Sequence, residues 1–119
     1  MIDDRIIEYY RTAGKIAKKA LYFGKEYVSP KKKIDLYELC EKIENLILKE
    51  RAKLAFPCNV SLNDVAAHYS PLSKHIIEFD RGILKIDVGA MVNGYIADTA
   101  LSVARGYEYE TMSKINRDI

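Results

Sequence analysis

Two aspartates interrupt a pair of apolar segments in the second half of this 119-residue chain. Asp87 lies within residues 83–88 and Asp98 within residues 95–103, and the pattern of both segments otherwise predicts β-strands. Removing a carboxylate from water inside such a strand costs several kcal/mol unless a partner compensates its charge. Aspartates in these positions therefore point to a specific electrostatic role, and a bound cation is one candidate for the partner.

A tight turn between the two segments would place both carboxylates on one face of a hairpin. Asn93 and Gly94 tolerate positive φ, which is typical of a two-residue hairpin loop. In the resulting register the two aspartates are diagonal neighbours about 7–8 Å apart at the backbone, with Asp87 opposite Ala100. Two carboxylates that converge so closely repel each other unless a proton or a metal cation lies between them. Carboxylate oxygens with an imidazole suit divalent Mn, Fe, Co or Zn.

The same aspartates also have structural interpretations. Asp87 could pair with Lys85 or Arg105 at the rim of the sheet, and Asp98 could lie in a turn. A three-residue hairpin loop would put the two aspartates on opposite faces and remove the argument for a metal. On spacing alone, a metal site and a structural role both stay open.

A histidine upstream of the hairpin is the third candidate for chemistry. His68 lies within residues 65–71, where Ala66 and Ala67 permit the close approach of backbone or substrate. Considered alone, such a histidine is more typical of a core or surface position than of a ligand. His75 has no comparable context and is expected to be exposed.

Composition disfavours several classes of function. The chain has 19 basic and 17 acidic residues, a formal charge of +2 with the signs interspersed, so no strong field for nucleic acid or anionic lipid is expected. No apolar run approaches the length of about 18 residues that crosses a bilayer, and the acidic start is unlike a secretory signal. The two cysteines form no CxxC pair. A reduced, cytoplasmic compartment is therefore the simplest expectation.

Helical periodicity dominates the first half of the chain. Apolar residues at steps of three and four predict a first helix that begins at Asp3 or Asp4 and ends near Gly24. A second helix is predicted to begin at Asp35, in a capping-box spacing, and to fade near Arg51.

The connection between these helices is polar. Pro30 and the lysines of residues 31–33 predict a solvated loop, which is favoured over a contact with acidic RNA. Cys40 lies on the apolar stripe of the second helix and is expected to be a small buried side chain.

Beyond residue 54 the period shortens and predicts strands. The β-type runs, separated by turn residues, are 60–62, 65–69, 76–79, 83–88 and 95–103. Residues 110–119 begin another helical stripe. The predicted fold class is α/β (α+β), with two N-terminal helices packed on a mostly antiparallel sheet and then an unfinished helix. A single domain of residues 1–119 is expected.

Taken together, these segments resemble the type 2, archaeal and eukaryotic branch of the methionine aminopeptidases. Residues 55–63 are similar to the segment of that family that enters the active site, and residues 66–71, AAHYSP, are close to its AAHYTP motif. Residues 85–89 and 94–100 are similar to the hairpin that supplies its two aspartate ligands. The resemblance covers essentially the whole chain and implies about one half, the N-terminal half, of a pita-bread fold.

The resemblance implies hydrolytic removal of the N-terminal methionine from nascent proteins, at two divalent metal ions (Co, Mn, Fe or Zn) bridged by water or hydroxide. Asp87 would be a terminal metal ligand and Asp98 a bridging one. His68 would be catalytic, contacting the substrate near the scissile bond to orient it or stabilise developing charge. Phe56 would line the pocket for the methionine side chain, so that Phe56 and His68 are the predicted substrate-binding residues.

The chain also departs from that family. The family site uses one histidine and two glutamates from the second half of a longer chain, so three of its five metal ligands are expected to be missing here. Residues 72–77 replace the Gly-Asp and threonines that usually follow the proline of the motif.

We therefore expect a truncated, methionine aminopeptidase-like chain that is inactive alone. The alternative is a non-catalytic interaction protein that kept the half-fold and forms a homodimer or complements a second chain. Expected partners are peptides and nascent chains with N-terminal methionine and a complementary C-terminal half or second copy, with neither membrane nor specific nucleic acid. An X-Pro-cleaving relative is disfavoured by the AAHYSP segment.

Overall fold

The structure is a computed structural model that describes residues 3–62, 74–106 and 110–111. Its elements are α1 (Asp4–Val28), β1 (Lys33–Asp35), α2 (Leu36–Lys49), β2 (Lys53–Leu62), β3 (Ile76–Glu78), β4 (Gly82–Val92) and β5 (Tyr95–Arg105). In the described part of the chain, β2, β4 and β5 form an antiparallel sheet in the order β2-β4-β5, and β1 pairs with β3. The predicted fold class is confirmed. Glu110 and Thr111 are helical, whereas the rest of the helix predicted over residues 110–119 and the strand predicted over residues 65–69 lie outside the described residues.

The first helix begins as predicted and ends later than predicted. Asp3 is its N-cap, and the Asp3 carboxylate accepts a hydrogen bond from the amide of Arg5 at 2.8 Å. The prediction that α1 ends near Gly24 is wrong, because the helix continues to Val28. Gly24 instead allows α1 and α2 to approach closely, since a Cβ at this position would lie 2.8 Å from Cδ1 of Ile43.

Asp35 fixes the start of α2 and ties it to the small sheet. Its Oδ1 accepts hydrogen bonds from the amides of Tyr37 at 3.1 Å, Glu38 at 3.5 Å and His75 at 3.1 Å. Partial burial alone would raise the pKa of this carboxyl. The three backbone donors and the positive charge of Lys74 together have the larger, opposite effect, so the pKa lies below its ordinary value. The predicted N-cap is confirmed, and β1 extends the strand content into the predicted polar connection.

One apolar core lies between the two helices and one face of the three-stranded sheet. Alternate residues of β4 point into it and are at most 1% exposed, namely Leu84, Ile86, Val88 and Ala90. The intervening residues of β4 point to the opposite face, which we call the outer face. Cys40 is buried in the core, as predicted. Among the described residues, neither helix is long and apolar enough to cross a membrane.

Arg105, the last residue of β5, joins three parts of the chain through its guanidinium. Nη1 donates to the carbonyls of Lys31 at 2.5 Å and Phe79 at 2.7 Å, and Nη2 donates to those of Val28 at 2.7 Å and Ser29 at 3.1 Å. The guanidinium also lies 4.4 Å from the centroid of the Phe79 ring. Because two of these carbonyls end α1, the cation also complements the negative end of the helix dipole.

Replacing Arg105 should therefore destabilise the fold. We expect Arg105→Ala to lower the free energy of unfolding by about 1.5–3 kcal/mol, because it leaves several carbonyls without their charged donor. Arg105→Lys should recover only part of the lost stability, since a single ammonium group cannot reproduce the hydrogen bonds of the planar guanidinium. Urea denaturation measures both. Arg11→Ala, which removes an exposed ion pair with Glu8, is the control and should change little. Equal losses in Arg105→Ala and Arg11→Ala would contradict this role.

Candidate metal centre

The hairpin of β4 and β5 turns through two residues. Asn93 and Gly94 have φ values of 51° and 86°, and Val92 pairs directly with Tyr95. Positive φ at both loop positions matches a turn whose twist suits the flanking strands. The predicted two-residue loop is confirmed, and the alternative with a three-residue loop is wrong.

This turn fixes where the two aspartates lie. Asp87 pairs with Ala100, and Gly89 pairs with Asp98, so the predicted register is confirmed. Asp87 alternates with the buried residues of β4 and Asp98 with the half-buried residues of β5, which places both side chains on the outer face. The alternative in which Asp98 lies in a turn is wrong, because this residue is within β5.

The two carboxylates differ in their surroundings. Asp98 is exposed, whereas Asp87 is half-buried and its Oδ1 is shielded from solvent. The guanidinium of Arg105 donates to backbone carbonyls at the far end of β5, so the sequence-based alternative that pairs it with Asp87 is wrong. A carboxylate oxygen shielded from water attracts a cation more strongly than an exposed one, because the local dielectric constant is lower.

A bulge in β2 brings an aromatic ring to the same face. The pairing of β2 with β4 shifts between Phe56, which lies opposite Gly89, and Asn59, which lies opposite Asp87. Two residues of β2 between these positions face a single residue of β4, so the alternation of faces is reset and Phe56 lies on the outer face. Pro57, which has no backbone N–H, is one of these two residues, and a proline within a strand is the sequence signal that could have located the bulge.

Side chains of α2 satisfy the bulge from the core side. The carboxylate of Glu44 accepts a hydrogen bond from the amide of Cys58 at 3.0 Å, and the thiol of Cys40 donates to the carbonyl of Cys58 at 3.6 Å. Hydrogen bonding to Cys40, burial and the negative charges of Glu44 and Asp87 raise the pKa of the Cys58 thiol far above its ordinary value. Cys58 is therefore a neutral, structural thiol rather than a reactive thiolate. The sequence analysis did not identify Glu44 as the acceptor for the amide of Cys58.

Phe56 rests directly on the backbone of Gly89. A Cβ at residue 89 would lie 2.3 Å from Cε1 and 2.8 Å from Cδ1 of the Phe56 ring, and 2.9 Å from Cβ of Ala55. The absence of a side chain at Gly89 thus lets the ring cover this position, whose cross-strand partner is Asp98. The outer face carries two carboxylates and one aromatic ring in adjacent positions.

The remaining predicted site residue is not placed by the structure. His68 lies within residues 63–73, outside the described residues. In the part of the chain that the structure describes, no group of three or more His, Cys, Asp or Glu side chains gathers to hold a metal ion. Asp87 and Asp98 are hard oxygen donors on one face, which fits a divalent cation that takes further ligands from elsewhere.

Comparison with known proteins gives a consistent result. The profile of metallopeptidase family M24 matches residues 8–118. Methionine aminopeptidase from Methanocaldococcus jannaschii is 41% identical over 116 residues, and that from Pyrococcus abyssi is 43% identical over 116 residues. Each match covers 97% of this chain and 37% of the relative, so the chain spans little more than a third of these relatives' length.

Solved structures share the fold. The crystal structure of methionine aminopeptidase from Rickettsia prowazekii superposes with a TM-score of 0.83 at 21% identity, covering 99% of this chain and 50% of that one. The architecture is therefore part of a pita-bread fold, as the sequence resemblance implied.

The contact between Phe56 and Gly89 can be tested directly. Gly89→Ala should lower the free energy of unfolding by about 1–3 kcal/mol, because the new methyl group overlaps the ring and neither backbone strand can easily retreat. The double variant Gly89→Ala, Phe56→Ala should lose less free energy of unfolding than the two single variants lose in sum. Urea denaturation in a double-mutant cycle measures this difference. Gly14→Ala is the matched control, since a Cβ at that helical position meets nothing within 4 Å. Additive losses, or equal effects at residues 14 and 89, would contradict the contact.

Proposed function

The chain belongs to metallopeptidase family M24, and we propose that it is the N-terminal half of a methionine aminopeptidase catalytic domain, supplying two aspartate ligands to a dinuclear metal site. The observation that carries this proposal is the placement of Asp87 and Asp98 as diagonal neighbours on the outer face of the sheet. Relatives that are 41% and 43% identical over nearly the whole chain are methionine aminopeptidases, which supports this substrate class over X-Pro peptides.

Each predicted site residue has a distinct part in the proposed reaction. Asp87 and Asp98 would hold the metal ions, Asp87 as a terminal ligand and Asp98 as a shared one. When bound, divalent ions such as Co, Mn, Fe or Zn polarise the scissile carbonyl and acidify the attacking water. The ring of Phe56 contacts the thioether of the substrate methionine, an interaction that contributes up to about 1.5 kcal/mol. His68 orients the substrate beside the scissile bond.

The remaining ligands come from residues outside this sequence, in a complementary C-terminal half. Among the described residues, β5 is an edge strand of the three-stranded sheet. Its unpaired edge offers backbone donors and acceptors to another strand. A second copy of the chain is the alternative partner. We place the reaction in the cytoplasm, which fits two cysteines that are buried thiols rather than a disulfide.

A chimeric enzyme tests this function. The segment of the Methanocaldococcus jannaschii relative that matches this chain would be replaced by this chain, so that the rest of the relative supplies the missing ligands. We expect the chimera to release methionine from Met-Ala peptides in the presence of Co or Mn, and the isolated chain to release none. Asp87→Ala and Asp98→Ala should each lower kcat/KM by more than about 100-fold. Removing a residue that only hydrogen-bonds to a metal ligand can already lower activity by up to about 100-fold, and removing the ligand itself should cost more.

Two controls make the result interpretable. Lys85→Ala changes an exposed residue beside Asp87 on the same face and should leave the activity within about threefold. Circular dichroism would show whether every chimera is folded. A folded chimera that is inactive, or one whose activity survives Asp98→Ala, would contradict the proposed function.

A further inference from the structure

Basic residues are concentrated in one short part of the chain. Residues 15–33 contain seven lysines and a single acid, Glu26, a formal charge of +6. The rest of the chain has 12 basic and 16 acidic residues, a formal charge of −4. The overall charge of +2 therefore hides a separation of sign, and the interspersed pattern expected from the sequence does not hold over residues 15–33.

The helix gathers part of this charge into one stripe. Lys15, Lys18, Tyr22 and Lys25 recur at steps of three and four residues along α1, and all four side chains are exposed. They span about 15 Å of the helix surface. We call this set the basic stripe. Beyond the end of α1, the loop at residues 31–32 adds two more lysines and lines a pocket of about 250 Å³ with Arg105 and one acid, Asp80.

The described part of the chain places no carboxylate against the lysines of the basic stripe. Lys19, on the neighbouring surface of α1, forms an ion pair with Glu50. By contrast, among the described residues no carboxylate lies within 4 Å of the ammonium groups of Lys15, Lys18 and Lys25. Lys15 and Lys18 are three residues apart on the helix and repel each other. An anionic ligand would relieve this repulsion.

One aromatic ring lies among the cations of the basic stripe. Tyr22 is 50% exposed, and the ammonium of Lys18 lies 5.9 Å from the centroid of its ring. A second contact of this kind lies outside the stripe, where the ammonium of Lys31 is 4.7 Å from the centroid of the half-buried Tyr27 ring. An exposed ring between lysines suits single-stranded nucleic acid, because a base stacks on the ring while the cations neutralise phosphates.

We propose that the basic stripe binds single-stranded RNA without sequence preference. The stripe lies on the solvent side of α1, whereas the carboxylates lie on the outer face of the sheet, so RNA binding and the proposed metal site are independent. The inference goes beyond the proposed function and does not depend on it.

A membrane and a protein partner both fit the basic stripe less well than RNA does. A membrane-bound basic helix inserts its apolar face into the lipid, but the apolar face of α1 is buried in the core through residues such as Ile16, Ala17 and Leu21. A protein partner would need an apolar centre to its interface, and the stripe offers only the ring of Tyr22 between lysines.

Fluorescence anisotropy with a labelled oligouridine of about 15 nucleotides tests the proposal, with salt varied from about 50 to about 200 mM. We expect binding that weakens with salt. The triple variant Lys15→Gln, Lys18→Gln, Lys25→Gln should bind at least tenfold more weakly, and its slope of log K against log salt should be smaller by about 2, because three phosphate contacts are lost.

The matched control removes three exposed lysines from other elements, as Lys49→Gln, Lys53→Gln and Lys85→Gln. Both triple variants have the same net charge, so the control should keep most of the affinity if the position of the charges matters. Thermal melts would confirm that both are folded. Equal losses in the two triple variants, or no binding by the original chain at low salt, would overturn the proposal.

The ring of Tyr22 separates stacking from charge. Tyr22→Ala should weaken oligouridine binding by about fivefold or more, whereas Tyr22→Phe should retain it, since stacking needs the ring and not the hydroxyl. Vesicles containing phosphatidylserine serve as the second probe. Binding to the vesicles but not to RNA, or equal affinity in Tyr22→Ala and the original chain, would also overturn the proposal.

Discussion

The two-residue turn at Asn93 and Gly94 determines which side of the hairpin every residue of β4 and β5 faces. Because side chains in a strand alternate with a period of two, one additional loop residue would shift the pairing by one position. Such a shift would turn Asp98 toward the helices while leaving Asp87 on the outer face. With the observed turn, the apolar residues of β4 complete the core, and both carboxylates lie on the surface that is left for chemistry.

The bulge in β2 determines which face of the sheet Phe56 lies on. Strict alternation would put Phe56 on the same face as Cys58, which is buried in the core. The additional residue at the bulge resets the alternation, and Glu44 accepts the amide that the bulge removes from the ladder. The turn and the bulge together place two carboxylates and one ring side by side on the outer face, while the two helices cover the other face of the sheet.

Local patterns were enough to predict most of this arrangement. Hydrophobic periodicity located both helices, Asp3 or Asp4 marked the start of the first and Asp35 that of the second, and the Asn-Gly pair predicted the hairpin register. Sequence failed where a residue serves a contact with a distant element. Gly24 is a typical helix stop but is here a close approach between helices, and the hydrogen bonds of Arg105 and Glu44 join segments far apart in the chain. No local pattern encodes such contacts.

The central claim is that Asp87 and Asp98 act together on one divalent cation site. A titration of the isotopically labelled chain with Mn²⁺, followed by the paramagnetic broadening of amide NMR signals, tests it most directly. We predict broadening centred on residues 87, 89, 98 and 100, which Asp87→Asn and Asp98→Asn each abolish. Broadening that is centred elsewhere, for example around Glu44, or that survives either substitution, would contradict a shared site.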